Sequence, residues 1–224
     1  EKQRRVAVTM DATFFDGFGI LLCRTQGRNL YWVYIATEST AAYRHVAQTL
    51  VSLGYELTGC TIDGRRGVRQ ALAAELPGVP IQYCHAHQVA TIKRYIPSKA
   101  QTESARSLRR LALRLSRSHY IQFETALDLW HVLNKPFLEE KTVCQTPHRK
   151  RSWRYTHERL RSAYNSLRRN LPYLYSYQRH PQAEIKNTTN TCDGYFSHLK
   201  DRVNRHRGLS VSRKKKMIQY LLEN

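Results

Sequence analysis

The chain contains no stretch of about 18 consecutive apolar residues, so its sequence offers no membrane-spanning helix. A secretory leader is also missing: Glu1-Lys2-Gln3-Arg4-Arg5 runs straight into strand-like sequence. No methionine opens the chain, as expected of a fragment of a longer protein. Cysteine is sparse and unpatterned. Cys23, Cys60, Cys84, Cys144 and Cys192 form an odd, scattered set, which argues against a disulfide framework and for reduced thiols in a cytosolic setting. Internal repeats and low-complexity linkers are absent. Acids are scarce: 17 Asp and Glu face 37 Lys and Arg, a net charge of +20 over 224 residues. From Lys141 onward the imbalance is 19 to 5. Such an excess favours a polyanionic partner, because neutralising phosphates releases counterions from nucleic acid. A basic surface kept for solubility, or one touching anionic lipid, is the alternative.

At 41% apolar residues the chain can build a packed core. The first third alternates in type. Arg5–Phe15 (RVAVTMDATFF) reads as a strand, Asp16-Gly17 as a turn, and Gly19–Arg24 as a second strand. Gly27-Arg28-Asn29 reads as another turn, followed by a third strand, LYWVYIATE. Tyr43, Val46, Ala47, Leu50 and Leu53 recur at helical spacing within Thr40–Leu53, and Gly54 stops that helix. Leu57–Ile62 is a strand, Gly67–Leu76 a helix closed by Pro77-Gly78, and Ile81–Cys84 a last short strand. The order βββαβαβ predicts an α/β fold with a mixed five-stranded sheet and helical crossovers. From Pro97 the periodicity becomes helical, with stripes at Leu108/Leu111/Leu115, at Ile121/Ala126/Trp130/Leu133/Phe137 and at Leu160/Tyr164/Leu167/Leu171; Gln145–Arg151 reads as a loop. These features divide the chain into a first core part (1–97), an all-α insertion (98–184) and C-terminal core helices (185–224).

Three acids stand at element ends. Asp11 lies in the first strand, on the face opposite Val6, Val8 and Met10, where an unpaired charge is costly unless a cation meets it. Asp63 closes the fourth strand, the end at which α/β sheets gather functional groups. Asp193 opens the late helix at Cys192–Arg205. Each has a plainer reading: Asp63-Gly64 is a common turn pair, and Asp193 suits a helix dipole. Together, three carboxylates suit Mg²⁺ or Mn²⁺. Two such ions about 3.5–4 Å apart activate an attacking oxygen and stabilise a leaving one in phosphodiester chemistry. The bases Arg65, Arg66, Arg69, Lys200, Arg202, Arg205 and Arg207 would then grip the DNA backbone, or else merely solvate helix faces. Trp130 and Trp153 are candidates for base stacking or, for Trp130 above all, for core.

Four segments in this order, VTMDATFF, TIDGRRG, QYCHAHQ and NTTNTCDGYFSHLKDRVNRHRGLS, resemble the DDE-type transposases of bacterial insertion sequences related to Mutator elements. The resemblance spans about residues 6–222 and implies a ribonuclease H-like catalytic domain with a helical insertion before the last catalytic helix. It implies metal ligation and catalysis by Asp11, Asp63 and Asp193, with two Mg²⁺ or Mn²⁺ ions, strand cleavage and strand transfer at element ends on double-stranded DNA, a homodimer, a preceding DNA-binding region and a bacterial cytoplasmic location. Asp193 stands where these enzymes carry Glu; Glu184, Glu139 and Glu140 are rivals for the third ligand. Cys84 and His87 match a C-x₂-H signature of the group. Too few partner ligands surround them for zinc, which favours a buttressing or backbone-contacting role; a buried cysteine and an ordinary surface histidine are the plainer alternative. A nuclease or resolvase without strand transfer, and a transposase-derived protein that only binds DNA, are the alternative readings.

Overall fold

Two-residue turns, Asp16-Gly17 and Gln26-Gly27, set the register of the first half. Both glycines sit at positive φ (86° and 85°), a left-handed backbone that glycine adopts without a Cβ penalty. In the computed structural model, which describes residues 4–143, 153–206 and 208–223, they join β1 (Arg4–Phe15), β2 (Phe18–Thr25) and β3 (Arg28–Ile35) into an antiparallel meander. The second turn thus falls one residue earlier than Gly27-Arg28-Asn29. The third strand stops at Ile35 rather than Glu38, because Ser39 caps the next helix: its hydroxyl accepts from the Ala42 N–H at 3.2 Å. Then follow α1 (Thr40–Ser52), β4 (Tyr55–Ile62), α2 (Arg66–Glu75) and β5 (Ile81–Tyr83). Strands β4 and β5 add parallel to β1, giving a mixed five-stranded sheet in the order β3-β2-β1-β4-β5.

Alternation along the strands loads both faces of this sheet. Val8, Met10, Leu21, Cys23, Cys60 and Ile62 point to one side and pack with Tyr43, Val46, Ala47 and Leu50 of α1. Ile20 and Leu22 point to the other, under α8 (Asn190–Arg205) and α9 (Val211–Glu223), against Cys192, Phe196, Leu199, Val203, Ile218 and Leu222. A buried Arg24 helps to lock α8 down. Its guanidinium lies 4.1 Å from the centroid of the Tyr195 ring, while Asn29 donates to the Tyr195 hydroxyl and to the Leu222 carbonyl.

The region 98–184 is not all helical. It contains α4 (Glu103–Leu113), α5 (Tyr120–Glu139), α6 (Glu158–Leu174) and the single turn α7 (Ser176–Arg179), but Lys141–Val143 (β6) pairs antiparallel with Trp153–Tyr155 (β7). Lysine and aromatic residues hide this pair: the strands are three residues long, and Lys141 lies over the Trp153 ring at 4.3 Å. The predicted loop Gln145–Arg151 lies outside the described residues, as do Cys144 and Arg207. A further helix, α3 (His85–Tyr95), follows β5 directly. One hydrophobic cluster runs without a break from β1 and β4 through α3 into Leu108, Phe123, Leu127, Leu160 and Leu167. Among the described residues, no helix is long and apolar enough to cross a membrane.

The segment 183–187 straps β4 on its way to α8. Thr58 Oγ1 donates to the Ala183 carbonyl (3.1 Å), Thr61 Oγ1 to that of Lys186 (2.5 Å), and the His85 N–H to that of Asn187 (2.9 Å). Gly59 makes this approach possible, since a Cβ there would collide with the Ile185 side chain. Gly59→Ala is expected to destabilise the fold by about 1–3 kcal/mol in chemical unfolding, with Ile185→Ala in the same chain restoring part of the loss; full additivity of the two changes would contradict the contact.

Candidate metal centre

Strand register puts the acids side by side. Thr9 pairs with Thr61, so Asp11 and Asp63, each two residues further along parallel strands, share the face covered by α8. Cys84 continues the row one strand over, its N–H bonded to the Ile62 carbonyl at 2.8 Å. Asp11 is only 7% exposed. Burial pushes its carboxyl up to about 7; the His87 charge and the Ala12 N–H pull it down, while Asp193 and Asp63 push it further up. A desolvated carboxylate of this kind is stable as an anion only beside a compensating cation.

Two helices complete the group: one adds a further acid, the other the positive charge. α8 starts directly over β1, where the Cys192 thiol faces the Thr9 carbonyl, and delivers Asp193 from its first turn. α3 delivers His87. One ligand atom each from Asp11, His87 and Asp193 lie within 4.8 Å of one another. Two ligands of one ion at about 2.0–2.6 Å are separated by no more than about 4–5 Å, so the spacing suits a single cation. Among the described residues this is the one such group of His, Cys, Asp or Glu. Asp63 stands just outside it. Its Oδ1 accepts from the Gly64 N–H at 2.6 Å, as the turn reading anticipates, yet its charge acts on both Asp11 and His87.

His87 thus lies within the group of potential ligand atoms. The hydrogen bond with Cys84 raises its imidazole most; burial opposes this, and the charges of Asp63, Cys84 and Asp11 add to it, taking it to about 9. With no cation present, the imidazolium stands in for one between the carboxylates. Cys84 lies beside this group, not in it. Burial pushes its thiol up, but hydrogen bonds from His87 and Thr189 outweigh that and leave it below its ordinary value.

Sequence reasoning assigned nothing to Thr189, which is fully buried. Its N–H donates to Cys84 Sγ (3.2 Å). Its hydroxyl lies 3.3 Å from Cys84 Sγ, 3.4 Å from His87 Nδ1 and 3.3 Å from Asp193 Oδ2. One side chain thus ties α3 to α8. The polar run NTTN before Asp193 was the signal available for it.

The rival acids lie elsewhere. Glu139 and Glu140 end α5, and Glu140 pairs with His157 at 2.9 Å. Glu184, at φ 51°, borders a cleft with Arg5, Ala7 and Thr25 near the start of β1. The basic residues divide. Arg65 pairs with Glu38 (2.7 Å), Arg205 with Asp201 (2.7 Å), and Arg69 lies 4.3 Å from the Tyr173 ring centroid against Tyr83. Arg66, Lys200 and Arg202 are exposed. Trp130 is core, its indole N–H directed at Ser104 and Ser107.

A pH dependence follows for the chelated protein. Asp11 is raised from 3.8 to about 7 and His87 from 6.5 to about 9, so the folded state holds more protons than the unfolded one. Its stability is therefore expected to fall as pH rises through this window. Asp11→Asn should remove the fall below about pH 7 and should abolish the rise in melting temperature produced by Mn²⁺ at pH 8. An unchanged pH profile together with an intact Mn²⁺ response would contradict the assignment. No family model matches the chain, and no curated protein matches it.

Proposed function

We propose that the chain is a metal-dependent nucleic-acid phosphoryl-transfer enzyme, the catalytic domain of a DNA transposase with a ribonuclease H-like fold. The observation that carries this reading is the convergence of Asp11, His87 and Asp193, with Asp63 beside them, on one face of the sheet in a chain of net charge +20. The strand order β3-β2-β1-β4-β5, with β1 central and α8 crossing it, is compatible with that fold.

Asp11, His87 and Asp193 would hold the cation, with Asp63 supplying a further carboxylate. An imidazole in the set favours Mn²⁺ over Mg²⁺, which prefers oxygen alone; Mg²⁺ and a second ion would draw on Asp63. The bound metal supplies Lewis-acid polarisation of the phosphoryl oxygens and a nucleophile active at neutral pH. The chain's own groups do the rest. The sheet and α8 exclude water from one side of Asp11, and Thr189 fixes the spacing of His87 and Asp193. Arg66, Lys200 and Arg202 are exposed and would neutralise DNA phosphates. In the cleavage step water attacks phosphorus, the P–O3′ bond breaks and the 3′ oxygen leaves as a hydroxyl. In strand transfer that hydroxyl attacks a target phosphorus and displaces a target 3′ oxygen, so the bonds balance.

Supercoiled plasmid nicking with Mn²⁺ or Mg²⁺ tests the reading. Asp11→Asn and Asp63→Asn are each expected to lower the rate by at least about 100-fold, and Asp193→Glu to keep more activity than Asp193→Asn. Joining of a labelled oligonucleotide 3′ end to the plasmid separates a transposase from a nuclease. Full nicking by Asp11→Asn would refute the mechanism.

A further inference from the structure

A cleft lies at the far end of α3. It measures about 650 Å³ and opens between the C-terminal end of that helix, the segment 96–105 and the start of β7 and α6. Tyr95, 37% exposed, and Tyr155 supply aromatic surface, and Lys99 and Arg154 are exposed cations. The walls are fixed. Arg159 donates to the Arg94 carbonyl, Arg109 to that of Ile96 at 2.8 Å, and the Arg161 guanidinium lies 3.6 Å from the centroid of the Tyr155 ring. Nearby acids are already engaged: Glu103 holds Arg106 and Arg110, and Glu140 holds His157. Among the described residues the one acid lining the cleft is Glu158. Positive charge beside a tyrosine ring is the chemistry that binds unpaired nucleotides, with bases stacked on the aromatic and phosphates on the cations.

We propose that this cleft takes one or two nucleotides of a single DNA strand, base against Tyr95 and phosphates on Lys99 and Arg154. The strand must be unpaired, because a duplex keeps its base faces stacked on each other. The proposal rests on the reading of the chain as a DNA-processing enzyme and adds where a strand leaves the metal centre. Tyr95 lies eight positions beyond His87 on the same helix, about 12 Å along its axis.

Fluorescence anisotropy of the whole chain with labelled oligo-dT and with a duplex, each of about 20 nucleotides and titrated across roughly 50–200 mM salt, tests this. The triple change Tyr95→Ala, Lys99→Ala, Arg154→Ala is expected to weaken oligo-dT binding at least about tenfold. It should lower the salt slope by about 1.4, at about 0.7 per phosphate, and should change duplex affinity less than about threefold. Tyr95→Phe should bind oligo-dT within about twofold of the parent, since stacking needs no hydroxyl. Unchanged oligo-dT affinity and slope in a triple variant of parental melting temperature would overturn the proposal. Equal losses on both probes would overturn the stacking and assign the cations to duplex backbone. If the triple variant does not fold, the exposed single change Lys99→Glu decides: weaker oligo-dT binding with a lower slope supports the site, and an unchanged slope overturns it. The plasmid assay is independent of this outcome. A chain that fails to nick yet loses oligo-dT binding keeps the cleft and refutes only the catalytic reading.

Discussion

The structure is organised around one unfavourable act: the burial of the Asp11 carboxylate at the centre of a sheet. An isolated buried carboxylate costs several kcal/mol, and proteins relieve that by protonation, by a counter-charge or by a metal. Here the first two are visible in the chain itself, in a carboxyl raised to about 7 and an imidazole raised to about 9 beside it. The arrangement is electrostatically poised. His87 in its charged form balances Asp11 and Asp193, and a divalent cation would do so better while releasing protons.

The cluster is held by contacts between the two halves of the chain. The strap 183–187 is bonded to β4 and to the start of α3, and it sets where α8 begins. Thr189 then fastens that beginning to Cys84, His87 and Asp193. Arg24 and Asn29 fix the same helix farther along through Tyr195. The helical region 98–184 supports α3 from the other side. Gln88 donates to Ser166 and accepts from Asn170 of α6, and buried His85 contacts the Leu174 carbonyl and Ser116. The loop closure between Asp63 and Asp193 is thus stabilised by packing that runs straight through the intervening helices, and not by the sheet alone.

Much of this was legible in residue order. Period-two alternation in RVAVTMDATFF, glycines in two-residue turns and the helical spacing of Tyr43, Val46 and Leu50 are local signals, and they gave the five strands and two crossover helices to within a few residues. Asp11 stood out because a charge interrupted an apolar strand. Helix α3 did not stand out: its two histidines break the apolar stripe, and its buried face is partly polar, made of His85 and Gln88 as well as Ile92. The pairing of β6 with β7 is a non-local contact between three-residue strands, which no periodicity reveals. Nor does spacing show that His87, and not Asp63, joins Asp11 and Asp193 in one group. That follows from the direction in which α3 leaves β5, and from a threonine whose neighbours are more than a hundred positions away in the sequence for Cys84 and His87.

Asp11, His87 and Asp193 stand together as one candidate cation site. Anomalous diffraction from crystals grown with Mn²⁺ measures it most directly. A peak is expected about 2.0–2.4 Å from an oxygen of Asp11, an oxygen of Asp193 and a nitrogen of His87. A peak held by other residues, or none at saturating Mn²⁺ with His87 still seated between the two carboxylates, would contradict it.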